Sequence, residues 1–315
     1  MLKKKHILFC TEMYCERNNP VESNLSNNFH NTFDTCDQSE LFTREHLWID
    51  GEKNINEQLI DFFNPSHYGG RYVDYIIFSY LGCDYTVNPT LEIIQQIYKN
   101  FPQTKLIFLW WDASHPCNQQ QIHDLNPYAS LHVNYDASDL SHITDKAFFC
   151  GVPQSSEFFF PDEKQFGVSF CGRTDGYGER CHYLNHLIQN NFPINIFGGR
   201  TQQNLTPAEY GQAVRQSRIN INFSNTPHGF RQVKGRIWEI LCSKTLLLEQ
   251  DNGMLSRFLR PGIDYVTFSS PQELLEKAQY YLDNSVECDK ITEQGYQTYL
   301  ERFQSKVLWQ KIYDL

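Results

Sequence analysis

The stretch Val233–Gly253 reads VKGRIWEILCSKTLLLEQDNG, and it divides into a helix over 233–242 and a strand over Thr245–Gln250. The strand ends in the polar turn Gln250-Asp251-Asn252-Gly253. A helix feeding directly into a short strand built on a run of leucines is the repeating unit of a parallel α/β sheet, where both faces of each strand are covered. The helix also carries chemistry. Arg236 and Glu239 lie three residues apart and so share one surface. As an ordinary intrahelical ion pair they would contribute a few tenths of a kcal/mol.

The same rhythm extends to either side. Upstream come the strand Gly167–Gly172, a helix after Arg180, the strand Ile194–Gly199, a helix from Pro207 and the alternating strand Ile219–Phe223. Downstream, a short strand at Asp264–Phe268 precedes SPQELLEKAQYYLDN, with Ser270 as N-cap, Pro271 in the first helical position and Glu273 closing a capping box. A last helical region runs from about Ile291, is interrupted by Gly295 and holds Trp309. Toward the N-terminus, apolar runs at His6–Cys10, Tyr75–Ser79, Lys105–Leu109, Ser130–Val133 and Ala147–Cys150 predict a second parallel sheet. Between two of them, TLEIIQQIYKNFP places Leu91, Ile94, Ile97 and Tyr98 at helical spacing and stops at a proline, as a crossover helix does. The segment 151–164, GVPQSSEFFFPDEK, has no period and two prolines, which marks an interdomain linker. The chain thus divides into a Rossmann-like domain over 1–155 and a second over 156–315, facing across a cleft.

Composition narrows the function. With 315 residues and 40% hydrophobic content the chain can bury a sizeable core, as one large or two medium domains. A net charge of −10 argues against nucleic acid as a partner, so any anionic ligand must meet a local cationic pocket. No window approaches the ~18 apolar residues of a membrane span. MLKKKHILFC looks like a first strand rather than a signal peptide, and a cytoplasmic protein is expected. The ten cysteines show no zinc-ligand spacing and read as reduced, structural thiols.

A helix N-terminus after the glycine-containing loop PHGFRQ is suited to phosphate, and Lys234 and Arg236 would add charge-assisted bonds of roughly 1.5–3 kcal/mol each when desolvated. Glu239, which only accepts, would then suit a ribose diol. The turn holding Asn252 and Gly253 sits at the C-terminal end of its strand, where such folds bind ligands. In the first half, Asp112 and His115 of LWWDASHP follow a strand end and are the candidates for a general base. Asp136, Glu45 and His46 are weaker candidates, Asp136 reading more naturally as a turn former and the other two lying in a loop.

The order VSFCGR, Arg180, INIFGG, PAEYGQAVRQSRININFS, VKGRIWEILCSKTLLLEQDNGM and FLRPGIDYVTFSSPQELLEKAQYYLDN resembles the spore-maturation-protein-like glycosyltransferases, of glycosyl transferases group 1 type. The resemblance covers the C-terminal half. It implies a GT-B fold, in which a closing C-terminal helix packs back on the N-terminal domain, with acceptor bound by the first domain and nucleotide-sugar donor by the second. It further implies that Arg173 or Arg180 and Lys234 or Arg236 lie near the diphosphate, that Glu239 holds the ribose, and that Gly198 and Gly199 approach the base. One departure stands out: related retaining enzymes often carry two glutamates eight positions apart, and the position eight before Glu239 is Arg231. The expectation is a metal-independent transferase in glycan biosynthesis, moving a hexose or related sugar from a UDP- or GDP-sugar to a glycan, protein or small molecule, with no cofactor beyond that substrate. The alternatives are a nucleotide-sugar epimerase or hydrolase of the same fold, or a degenerate nucleotide-binding scaffold.

Overall fold

The structure, a computed structural model, describes residues 3–12, 41–49, 55–64, 72–80, 88–174, 178–198, 205–225 and 231–315. Two compact units result, one of Met1–Cys150 with Ser305–Leu315, the other of Gly151–Gln304. The final segment, placed in the second domain by a single cut at 155, therefore belongs with the first unit.

Unit one is built on β1 (Lys5–Glu12), β2 (Phe42–Ile49), β3 (Tyr75–Tyr80), β4 (Lys105–Trp110), β5 (Ala129–Asn134) and β6 (Ala147–Phe149). All pair in parallel in the order β2-β1-β3-β4-β5-β6. The central runs YIIFSY and KLIFLW are buried almost throughout, as strands covered on both faces must be. Among the described residues, three helices of this unit join the strands, α1 (Ile55–Phe62), α2 (Leu91–Asn100) and α3 (Pro116–Leu125). Helix α2 buries Ile93, Ile94 and Ile97, while Tyr98, predicted to share that face, is exposed and meets the edge of Tyr128 at 5.4 Å. Glu45 and His46, read as loop residues, lie instead in β2. This strand is at the sheet edge, where charged residues interrupt the apolar alternation that would mark it.

A last helix, α9 (Ser305–Tyr313), completes unit one. It buries Leu308, Trp309 and Ile312, and the Trp309 ring sits edge-on to Phe9 at 5.9 Å and Phe42 at 6.0 Å. Lys5 donates to the Tyr75 hydroxyl at 2.5 Å and to the Tyr313 carbonyl, tying the helix to β1 and β3.

Unit two carries β7 (Phe166–Cys171), β8 (Ile194–Phe197), β9 (Ser217–Asn222), β10 (Leu246–Gln250) and β11 (Val266–Phe268). They too are parallel, in the order β11-β10-β9-β7-β8. The covering helices are α4 (Gly178–Gln189), α5 (Pro207–Arg215), α6 (Gly235–Cys242), α7 (Pro271–Asp283) and α8 (Ser285–Arg302). The capping box predicted for α7 is displaced by one residue: Ser270 accepts from Glu273 N at 3.1 Å, but the Glu273 carboxylate takes the N–H of Ser269 at 2.7 Å. A full capping box instead starts α5, between Thr206 and Glu209.

Gly295 does not interrupt its helix. Helix α8 runs straight through it, because a Cβ there would lie 2.2 Å from the carbonyl oxygen of Asp264. The residue lets α8 lie against the segment before β11, so its signal is close approach rather than chain breaking.

Candidate functional site

In unit two the chain passes from β7 to β8 on one side and returns to β9 on the other, so the strand order reverses between β7 and β9. Ligands of open parallel sheets bind outside the carboxyl ends of the strands at such a point. Gly172 follows β7 there and Ser224 follows β9, with Glu249 near the end of neighbouring β10. Gly172, with φ +145°, lies beside Gly198, whose φ is +83°, and donates to the Phe197 carbonyl at 2.8 Å. Gly199 falls outside the described residues.

Arg236, on α6, reaches this junction. A Cβ on Gly172 would stand 2.5 Å from Arg236 Nη2, so the glycine makes the room that the guanidinium occupies. Arg236 Nη1 donates to Asn222 Oδ1 at 3.1 Å, and Nε donates to the Tyr210 hydroxyl at 3.4 Å. Tyr210 in turn donates to Glu239 Oε2. The three form one cluster, Glu239 buried and Arg236 and Tyr210 half-buried, with opposed electrostatics. Burial would lower the Arg236 pKa, but Tyr210 and Glu239 more than offset it. Burial pushes the Glu239 carboxyl up, against the Tyr210 hydrogen bond and the Arg236 charge.

A second carboxylate stands on the other side of Arg236. Glu249, on β10 and 1% exposed, accepts from Asn222 Nδ2 at 2.7 Å, from the Ser224 hydroxyl, and from Asn252 Nδ2 at 3.2 Å. Burial pushes its carboxyl up to about 7, opposed by those hydrogen bonds and by Arg236 and Lys234. Asn252 Oδ1 meanwhile accepts the backbone N–H groups of Met254 and Leu255, at 2.8 and 3.1 Å, and so shapes the turn after β10. Sequence reasoning passed over Glu249. Its signal was an ionisable residue inside an otherwise apolar central strand, which has to be partnered.

The other expected residues are distributed as follows. Arg180 is buried, with its guanidinium carbon 5.4 Å from the Phe170 ring and 5.7 Å from Phe223, and Nη1 donating to the Arg173 carbonyl at 2.5 Å. It braces the loop after β7, while the Arg173 side chain is exposed. Lys234 is the residue before α6 and its Nζ donates to Gln232 Oε1. Gly253 is exposed at φ +67° in the turn after Asn252.

In unit one Asp112 is exposed and His115 half-buried. His115 is the N-cap of α3, its Nδ1 accepting from Cys117 N at 3.3 Å, which places the ring proton on Nε2 when neutral. Asp136 does turn out to have partners. Its carboxylate accepts from Ser114 N at 2.8 Å and from Ser138 N at 3.0 Å, so it anchors the loop that carries Asp112 and His115. Six described cysteines are free, whereas Cys117 is disulfide-bonded. Among the described residues no cluster of three His, Cys, Asp or Glu is placed to hold a metal, and no helix is long and apolar enough to cross a membrane.

Residues 178–314 match the model of a family described as glycosyl transferase-like, a segment that includes Arg180, Tyr210, Asn222, Arg236, Glu239 and Glu249. No curated protein sequence matches the chain. Among solved structures, it is similar to an alpha-glucosyltransferase in complex with UDP-glucose and DNA containing an abasic site, at TM-score 0.66 and 9% identity, covering 99% of each chain. Anabaena Alr3699/HepE in complex with UDP and glucose is similar at TM-score 0.62 and 11% identity, with 98% of each chain covered. A putative UDP-N-acetylglucosamine 2-epimerase from Listeria monocytogenes is similar at TM-score 0.60 and 10% identity, covering 98% of this chain and 95% of that one. The fold, two parallel-sheet α/β domains, is that of the GT-B glycosyltransferases.

Proposed function

We propose that the protein is a glycosyltransferase that takes a sugar from a UDP-sugar, bound by unit two, and passes it to an acceptor bound by unit one. The observation that carries this reading is the Arg236 guanidinium, which lies in the segment that matches the glycosyl transferase-like family and is held against Gly172 at the strand-order reversal. A fixed cation at that point suits a diphosphate, and it would act on the negative charge that develops as the nucleotide leaves. The backbone N–H groups at the start of α6 and the Lys234 ammonium would add to it. Glu239 keeps Oε1 for a ribose hydroxyl, since Tyr210 occupies Oε2. With cations in this role the transfer would proceed without a metal ion. UDP is favoured over GDP because the similar solved complexes hold UDP or UDP-glucose.

For an inverting transfer, Asp112 is the stronger of the two candidate bases. A base must accept a proton, and the cap that His115 makes through Nδ1 puts the proton of the neutral ring on Nε2, so neither nitrogen of that ring is left to accept. The test is a thermal-shift screen of UDP, GDP, ADP, CMP, dTDP and their common sugar conjugates on the wild type and Arg236→Ala. A ligand at 100 times its Kd should stabilise the protein by about 2.7 kcal/mol. A shift for UDP compounds that Arg236→Ala abolishes supports the site, and a flat screen overturns the reading. The similarity to a putative 2-epimerase favours one other reading, a donor-only reaction. Turnover of UDP-N-acetylglucosamine with no acceptor present would select it.

A further inference from the structure

Arg236 lies between two buried carboxylates and touches neither directly in the hydrogen-bond network. On one side Tyr210 stands between it and Glu239; on the other, Asn222 stands between it and Glu249. The chemistry of the end groups sets the orientation of each relay. Above about pH 7 Glu249 is ionised and its carboxylate only accepts, while a guanidinium only donates. The Asn222 amide must therefore turn its NH2 to Glu249, at 2.7 Å, and its oxygen to Arg236 Nη1, at 3.1 Å. The Tyr210 hydroxyl, with one proton, gives it to Glu239 and receives Arg236 Nε. Two of the three guanidinium nitrogens are thereby committed. Among the described residues Nη2 makes no hydrogen bond, and it is the nitrogen that lies against Gly172.

We propose that Glu249 is a positioning residue of the donor site: by fixing the Asn222 amide it orients Arg236, so that Nη2 is left to bind the diphosphate of the nucleotide-sugar. This rests on reading unit two as the donor domain. Ser224 and Asn252 hold the far side of the Glu249 carboxylate, so that Oε2 is kept in line with Asn222. The burial of Glu249 and Asn222, 1% and 0% exposed, keeps water from substituting for either bond. A structural role alone would require only that Glu249 be satisfied. The inference requires more, namely that the direction of the Asn222 amide reach the ligand.

The experiment exchanges the charge along the relay. In Glu249→Gln, a side-chain NH2 facing Asn222 would reverse the asparagine amide and point a second donor at Arg236. In Asn222→Asp combined with Glu249→Gln, the Gln NH2 donates to one Asp oxygen and Arg236 donates to the other, which restores the pattern of donors and acceptors. Binding of UDP is measured by titration calorimetry on wild type, Glu249→Gln and the double variant, with unfolding in urea followed alongside. The expected result is at least tenfold weaker UDP binding by Glu249→Gln and recovery to within about threefold in the double variant. Wild-type binding that Glu249→Gln leaves unchanged overturns the positioning role and leaves the donor reading standing. A loss that the double variant does not recover also overturns it, since the effect would then be one of packing. Failure of the wild type to bind UDP or any other nucleoside diphosphate overturns both.

Discussion

Replacing Gly172 by alanine tests the site at its tightest point. The added Cβ would sit 2.5 Å from Arg236 Nη2 and 3.2 Å from its Cζ, nearly 1 Å short of ordinary contact at 3.4 Å. The guanidinium must withdraw, and with it the 3.1 Å bond from Nη1 to Asn222. Loss of one charge-assisted bond costs about 1.5–3 kcal/mol, which corresponds to UDP binding weaker by about 10- to 150-fold. Stability falls too, because φ +145° is strained for alanine by roughly 1–3 kcal/mol. Gly262→Ala supplies the control: its φ is +76° and its Cβ would meet nothing within 4 Å, so only the conformational cost applies. Calorimetric titration with UDP and urea unfolding on both variants separate the two terms. If Gly172→Ala binds UDP within twofold of wild type, the guanidinium is not held where the argument needs it.

Three other outcomes are expected. Trp309→Ala should destabilise unit one by about 3–5 kcal/mol, since its ring is fully buried against Phe9 and Phe42, and Trp309→Phe should cost well under half of that in the same denaturation curves. Gly295→Ala should lower the midpoint of unit two sharply, by more than a helix-propensity gain could offset, because backbone oxygen 2.2 Å away cannot rotate aside. Acidification should move the two units in opposite directions. Burial, with the Lys146 charge, holds His132 in unit one down to about 3, so below the ordinary value of 6.5 the unfolded chain gains a proton that the folded unit refuses, and stability falls by about 1.4 kcal/mol per pH unit. Burial holds Glu249 in unit two up to about 7, so between there and 4.5 the folded unit gains the proton and stability rises, with Glu239 adding in the same sense. Hydrogen exchange of peptides from β5 and β10 between pH 7 and 5 reads both, and parallel changes would refute the assignment.

The fold was legible wherever burial on both faces wrote itself into composition. The central strands YIIFSY and KLIFLW are near-continuous apolar runs, as strands covered on both faces are, and TLLLEQ carries three consecutive leucines. Strand β2 was not legible, because an edge strand is chosen against the same pattern and carries Arg44, Glu45 and His46. Gly295 misled for a related reason: local propensity treats glycine as a break, whereas a tertiary contact 31 positions away in sequence, with Asp264, decides that α8 needs it.

The site divides along the same line. Arg236 and Glu239 could be found together because helical spacing is a local rule, and the glycines because strand ends are where ligands bind. What joins them is not local. Tyr210 on α5, Asn222 on β9 and Glu249 on β10 meet only once the sheet order is known, and parallel pairing sets Asn222 directly beside Glu249 in register. That pairing is what turns a carboxylate inside an apolar strand from a liability into a fixed acceptor. A lone ionised group there would cost several kcal/mol. With Asn222, Ser224 and Asn252 as donors, the same group can dictate which way an amide faces, and through it where a guanidinium on a different element points.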